Sequence, residues 1–103
     1  MKLKHLIMAE VGSVHDGSFG NACKLIEAAA NCGADVIKFQ THLAEYETLD
    51  DAPAPSYFKA ESRMEYFKRT EFTKSQWGQI ADCCHKNKVK FVSSPFSIQA
   101  VQL

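Results

Sequence analysis

The fold of this chain is decided by one stretch, Gly33-Ala34-Asp35-Val36-Ile37-Lys38-Phe39-Gln40-Thr41. The glycine is typical of a helix end, and the apolar run from Asp35 to Gln40 predicts a buried parallel strand. Lys38 places an ammonium group inside that run. Burying an unpaired cation is costly, so Lys38 either meets an anion or extends its charged end to water.

Two more strands are predicted on either side of this one in the sequence. The first runs from Leu3 to Glu10 and is mostly apolar, so we expect it to be covered on both faces. The other runs from Lys90 to Ser94 and ends at Pro95. Each strand therefore ends in polar residues, as the central strand does.

Helices are predicted between the strands by capping residues and by apolar residues three and four apart. The first helix runs from Phe19 to about Cys32, with Ser18 as its N-cap. A capping box from Thr73 to Gln76 opens another helix, and Ser97 caps a last one that begins at Ile98.

The segment from Thr41 to about Ala60 reads as a long loop, since its two nearby prolines within 50–55 favour an extended path. Glu61 to Lys68 predicts a short helix. The order β-α-β-(loop, α)-α-β-α favours a parallel sheet with right-handed crossovers. The last helix reaches Leu103 without a C-cap, so we expect the chain to be the front portion of a longer α/β protein.

Composition excludes several classes of protein. Twelve basic and twelve acidic residues cancel, which argues against a nucleic-acid or anionic-membrane partner. No run approaches the roughly 20 apolar residues of a membrane-spanning helix, and no signal-peptide pattern is present, so we expect a cytoplasmic protein. The four cysteines and four histidines show no metal or redox spacing; we expect the cysteines to be reduced and packed on helices.

The strand ends together form a candidate site, because ligands of parallel α/β folds collect at the carboxyl ends of strands. Lys38 and Gln40 are two apart and therefore point to the same side. The pair Ser93-Ser94 precedes a helix start, a favourable seat for phosphate. Glu10 adds a carboxylate. An anion site beside a carboxylate suits a phosphorylated substrate that undergoes proton transfer, although polar strand ends that simply face water remain an alternative.

Three motifs carry a resemblance to a known family. They are Ala9-Glu10-Val11-Gly12-Ser13-Val14-His15-Asp16-Gly17-Ser18, the stretch from Gly33 to Thr41, and Phe91-Val92-Ser93-Ser94-Pro95-Phe96-Ser97. In this order they resemble the sialic acid synthase (N-acetylneuraminate synthase) family. Glu71-Phe72 with Trp77 is similar to the segment that leads into the preceding helix.

The resemblance implies a (β/α)8 TIM barrel, of which this chain holds about three βα units, followed by a small antifreeze-like domain. It implies a reaction in which phosphoenolpyruvate condenses with an N-acylated amino sugar to give a nine-carbon 2-keto acid and phosphate. It also implies a divalent metal, Mn²⁺ or Mg²⁺, whose ligands lie outside this chain, and a homodimer for the full-length protein. Since a complete barrel needs about 250 residues, we expect the chain alone to be inactive.

By the same resemblance the catalytic residues are Glu10, Lys38 and Gln40. Lys38 holds phosphoenolpyruvate with Gln40 beside it, Ser94 contacts the phosphate, and Glu10 faces the amino sugar and assists proton movement. The substrate-binding residues that the resemblance implies are Lys38, Gln40, Thr41, Ser93, Ser94 and His15.

The first motif departs from the family pattern at two positions. Val14 stands where an Asn is frequent, Asp16 also replaces a frequent Asn, and the loop after the second strand lacks a clear sugar-binding Asn. These positions lie where the acceptor sugar would be recognised, so both N-acylmannosamine and bacillosamine-related sugars remain candidates for the acceptor. Two other readings also stay open: a different phosphate-handling barrel aldolase or keto-acid synthase, and a non-catalytic α/β interaction module.

Overall fold

The computed structural model describes residues 5–47, 53–54 and 61–103. The elements in chain order are β1 Met8–Gly12, α1 Phe19–Asn31, β2 Val36–Thr41, α2 Ala44–Glu47, α3 Arg63–Arg69, α4 Lys74–Lys86, β3 Lys90–Pro95 and α5 Ile98–Val101. The strands form a parallel sheet in the order β1-β2-β3. This confirms the predicted α/β class and the parallel topology.

The first strand differs from its prediction at both ends. Pairing with β2 begins at Met8, opposite Val36, and the carbonyl of Ile7 accepts from the backbone N–H groups of Asp35 and Val36. β1 then continues past Glu10, through a bulge, to Gly12. Leu6, Ile7 and Met8 are all exposed, so the expectation of cover on both faces is wrong for this part of the predicted strand. Leu3 lies outside the described residues.

The predicted helix starts are confirmed by their hydrogen bonds. The hydroxyl of Ser18 accepts from the N–H of Asn21, and Thr73 and Gln76 form the capping box of α4. The hydroxyl of Ser97 accepts from the N–H of Ala100 at the start of α5. These caps are local in the sequence, so they fix where each helix begins without help from the rest of the fold.

The long loop after β2 is shorter than expected, since α2 begins at Ala44. Residues 48–52 and 55–60 of that loop, with most of its proline segment, lie outside the described residues. α3 begins after Ser62, which forms a capping box with Glu65 that the sequence analysis did not use. Among the described residues, no helix has the length and hydropathy needed to cross a bilayer.

The core lies between the sheet and the helix pair α1 and α4. Ile37 and Phe39 of β2 are fully buried and belong to one cluster with Ile26 of α1 and Ile80 of α4. Because strand side chains alternate between faces, Lys38 of β2 lies on the opposite face of the sheet. That face is where the candidate site is found.

The loop between β1 and α1 is held against the end of α3. The guanidinium of Arg69 donates to the carboxylate of Asp16 at 2.6 Å and to that of Glu61 at 2.7 Å. Gly17 has φ +81°, and a Cβ there would lie 2.2 Å from the carbonyl oxygen of Arg69. Only a glycine therefore lets the loop approach α3 this closely.

Candidate functional site

The register of the sheet brings the central candidate residues into two adjacent rows. Glu10, Lys38 and Val92 are neighbours across the three strands, and Gln40 is opposite Ser94 one step further along. Residues that are directly opposite in neighbouring strands project from the same face. Glu10, Lys38, Gln40 and Ser94 therefore share one face, as their positions at the strand ends predicted.

The bulge in β1 places Gly12 beside this face. Gly12 has φ +58°, and a Cβ at Gly12 would lie 3.5 Å from Nε2 of Gln40 and 3.8 Å from Oε1 of Glu10. The carboxylate of Glu10 and the amide of Gln40 therefore both lie next to Gly12. A glycine in the left-handed region is typical of such a bulge.

Lys38 is half-buried beside these groups. Among the described residues its ammonium group takes part in no hydrogen bond or ion pair. A partly desolvated cation without a protein partner attracts an anion more strongly than a fully solvated one. With the hydroxyl of Ser94 and the amide of Gln40 nearby, this face can bind a small molecule that carries carboxylate or phosphate groups.

Thr41 and Ser93, two of the predicted substrate-binding residues, lie on the other face. Their hydroxyl groups are hydrogen-bonded to each other at 2.6 Å, and both line a pocket with Trp77 and Phe91 on the helix side of the sheet. Ser93 and Ser94, predicted to act together, are neighbours in β3 and therefore point in opposite directions. We therefore leave Thr41 and Ser93 out of the proposed site.

His15, also predicted to bind substrate, is buried in the loop after β1 and is 1% exposed. Its Nδ1 accepts from the N–H of Gly17, and its ring lies 4.5 Å from that of Phe72. Burial lowers the pKa of His15; Asp16 opposes this effect and His42 adds to it. Among the described residues Nε2 has no hydrogen-bond partner. These contacts fit a neutral histidine packed in the core, so His15 is also left out of the proposed site.

Two residues that the sequence analysis did not assign lie beside Gln40. The ring of His42 is stacked between those of Phe67 and Phe96, with 4.2 Å between centroids on each side. Its Nδ1 is 2.5 Å from the carboxylate of Glu47, and its Nε2 is 3.0 Å from Oε1 of Gln40. The available signal was the position of His42 directly after a strand end, where functional residues concentrate.

The described residues contain no group of three or more His, Cys, Asp or Glu side chains that could hold a metal ion. The side chains of this face therefore do not form a metal site by themselves, and the location of the predicted metal ligands stays a prediction. All four cysteines are free. Burial raises the pKa of the Cys84 thiol to about 12, so it stays protonated in the core, whereas Cys32 is exposed and does not fit the expected packing.

Comparison with known proteins agrees with the motifs. The chain is 34% identical to the N,N'-diacetyllegionaminic acid synthase of Campylobacter jejuni over 97% of its own length and 31% of that protein's. It is 31% identical to the pseudaminic acid synthase of the same species, over 96% of this chain and 30% of that protein. It is 26% identical to the mouse N-acetylneuraminate-9-phosphate synthase, over 93% of this chain and 28% of that protein. The chain thus spans about a third of the length of these curated relatives.

The fold is also similar to solved structures. The N-acetylneuraminic acid synthetase of Leptospira borgpetersenii matches with a TM-score of 0.72 and 26% identity, over 94% of this chain and 31% of that one. The spore coat polysaccharide biosynthesis protein SpsE of Bacillus subtilis matches with a TM-score of 0.67 and 28% identity, over 99% of this chain and 26% of that one. The model of the NeuB family matches residues 25–103. The similarity in sequence and in fold leads to one conclusion: the chain belongs to the NeuB family.

Proposed function

We propose that this chain forms the phosphoenolpyruvate-binding part of a synthase that makes a nine-carbon 2-keto sugar acid. In the proposed reaction, C3 of phosphoenolpyruvate bonds to the aldehyde carbon of an N-acylated amino sugar. Water then adds at C2, and the tetrahedral intermediate expels phosphate as its C–O bond breaks. The relatives named for legionaminic, pseudaminic and N-acetylneuraminic acid synthesis support this class of reaction.

One observation carries the proposal: Lys38, whose ammonium group has no partner among the described residues, is paired in register with Glu10 on the open face of the sheet. Phosphoenolpyruvate is a small dianionic or trianionic molecule, and a fixed cation is what its carboxylate and phosphate require. The Ser94 hydroxyl and the Gln40 amide supply further donors. Glu10 is acceptor-only when ionised, so we assign it to the sugar and to proton movement.

The architecture proposed for the whole protein is a (β/α)8 barrel. In such a barrel the face that carries Lys38 points to the interior, and the active site lies at the carboxyl ends of the strands. The divalent metal that the resemblance implies finds no ligand set among the described residues. The roles proposed here for Lys38, Glu10, Gln40 and Ser94 do not involve it.

The test is the replacement of Lys38 by alanine in the complete enzyme. Loss of a charge-assisted contact worth about 1.5–3 kcal/mol should raise the KM for phosphoenolpyruvate about 10- to 100-fold. Lys90→Ala is the matched control, since Lys90 is an exposed lysine at the opposite end of the same sheet. An unchanged KM and kcat in Lys38→Ala would refute the proposal.

The acceptor is an N-acylated amino sugar in this proposal, and the two named candidates are distinguished by products. Purified complete enzyme is given phosphoenolpyruvate with N-acetylmannosamine or with a bacillosamine-related sugar, and the 2-keto acid is identified by mass. If neither sugar is turned over and the enzyme instead condenses phosphoenolpyruvate with another aldehyde or cleaves an aldol substrate, the alternative of a different barrel synthase or aldolase is favoured.

A further inference from the structure

The proposed reaction leaves one buried pair of ionisable side chains at the site without a role. His42 follows β2 directly and is 7% exposed, and the side chain of Glu47 in α2 is 8% exposed. Nδ1 of His42 is 2.5 Å from Oε1 of Glu47. The other oxygen of Glu47 accepts from the backbone N–H of Leu43 at 3.2 Å, which fixes the carboxylate in place.

The second ring nitrogen of His42 also faces an oxygen that accepts hydrogen bonds. Nε2 is 3.0 Å from the amide oxygen of Gln40. When Glu47 is ionised, its carboxylate and the amide oxygen of Gln40 can only accept hydrogen bonds, so this arrangement requires both ring nitrogens to donate, as they do in an imidazolium. Glu47 supplies the opposite charge, and the faces of Phe67 and Phe96 on both sides of the ring favour a cation.

The imidazolium determines which end of the Gln40 amide faces the site. With Oε1 bound by His42, the amide nitrogen is directed to β1, where it lies 3.5 Å from the Cβ position at Gly12. A neutral His42 protonated only at Nδ1 would instead offer a lone pair at Nε2. Gln40 would then turn its amide over and present its oxygen, an acceptor, to the space beside Lys38.

We propose that the His42–Glu47 ion pair is a positioning device that holds the amide of Gln40 with its N–H groups directed to the bound anion. The inference depends on the proposed function only for the identity of that anion. An amide donor directed to a carboxylate or phosphate attracts it, whereas an amide oxygen in the same place repels it. Glu47 and His42 therefore act through Gln40 and do not contact the reacting atoms.

The kinetic test is a double-mutant cycle in the complete enzyme. Glu47→Gln should lower kcat/KM for phosphoenolpyruvate about 10- to 100-fold, because a misdirected group in a site has an effect of this size. In a Gln40→Ala background the same change should alter kcat/KM less than about twofold, since its target is gone. Glu45→Gln, on the exposed side of α2, is the matched control and should behave as wild type. An equal loss in both backgrounds would overturn the inference.

The second test does not require enzymatic activity. ¹⁵N spectra of the histidine rings at pH 7 should show His42 with both nitrogens protonated in the wild type, and with one protonated in Glu47→Gln. A neutral His42 ring in the wild type would overturn the inference. An imidazolium in a protein that neither binds nor turns over phosphoenolpyruvate would leave the positioning device standing and refute the proposed function instead.

Discussion

Glu10 is paired with Lys38 in the register of β1 and β2, so an acid and a base project side by side from the open face of the sheet. No ion pair joins these two side chains in the part of the chain that the structure describes. Both charges are therefore available to a ligand. We therefore expect the two side chains to have different roles, with Lys38 binding the anion and Glu10 moving protons.

Replacing Glu10 with glutamine should separate binding from turnover. The amide keeps the size of the side chain but cannot take up a proton, so kcat should fall about 100-fold or more, in the range of general acid–base contributions. The KM for phosphoenolpyruvate should not rise, because a negative charge beside an anionic substrate has been removed. Steady-state kinetics of the complete enzyme measure both. A raised KM with an unchanged kcat would contradict the assigned role.

The hydrogen bond between Thr41 and Ser93 should contribute to stability and not to substrate binding. Thr41→Val leaves the Ser93 hydroxyl without its partner on the helix side of the sheet, at a cost of about 1 kcal/mol in the free energy of unfolding. Ser93→Ala alone should have a similar effect. The double variant should lose less free energy of unfolding than the two single variants together. Urea unfolding measures this coupling. The KM for phosphoenolpyruvate should match the wild type in all three variants, and a raised KM would return these residues to the site.

Gly17→Ala should destabilise the protein by about 2 kcal/mol or more. The new Cβ would lie 2.2 Å from the Arg69 carbonyl oxygen and would occupy φ +81°, which combines overlap with backbone strain. Urea unfolding checks this value.

Two other glycines serve as controls for that experiment. Gly33 also has a positive φ, +90°, but a Cβ there has no neighbour within 4 Å, so Gly33→Ala should cost only the backbone strain, about 1 kcal/mol. Gly78 lies within α4 with open space around it, and Gly78→Ala should stabilise by about 0.5–1 kcal/mol. Equal effects at all three positions would show that α3 does not lie against the loop.

The contribution of His15 to stability should fall as the pH is lowered below 6.5. Burial lowers the pKa of His15 below its ordinary value of 6.5, so the unfolded chain takes up a proton that the folded chain refuses. This contribution to the free energy of unfolding is therefore largest above pH 6.5 and decreases as the pH drops through 6.5 toward the lowered pKa. Comparing the urea midpoints of the wild type and of His15→Gln at pH 7.5 and 5.5 isolates it.

The contribution of His15 can be isolated with two variants. Between pH 7.5 and pH 5.5, the urea midpoint of His15→Gln should fall by less than that of the wild type. His85 is an exposed histidine in the last turn of α4, and the urea midpoint of His85→Gln should change with pH as that of the wild type does. A pH dependence that is the same in His15→Gln and in the wild type would show that His15 titrates alike in the folded and unfolded states.

The sequence predicted the helix starts well and one strand boundary poorly, for a common reason. The side chains of Ser18, Thr73 and Ser97 each accept a hydrogen bond from a backbone N–H three residues away, so the local sequence is enough to predict these caps. The start of β1 depends on its partner: Asp35 and Val36, 28 or more residues away, meet Ile7 and set the first ladder pair. A strand boundary is a tertiary property because every ladder hydrogen bond joins the strand to a group in another segment.

By itself the sequence determined the parallel α/β class, the caps, the alternation that directs Lys38 and Gln40 to one face, and the motifs that indicate the family. The tertiary structure decided what lies next to those residues. It placed Glu10 in register with Lys38, bonded Thr41 to Ser93 on the other face, and stacked His42 between Phe67 and Phe96. The physical reason is that periodicity fixes the direction of a side chain, whereas its neighbours are set by strand register and by helices far away in the sequence.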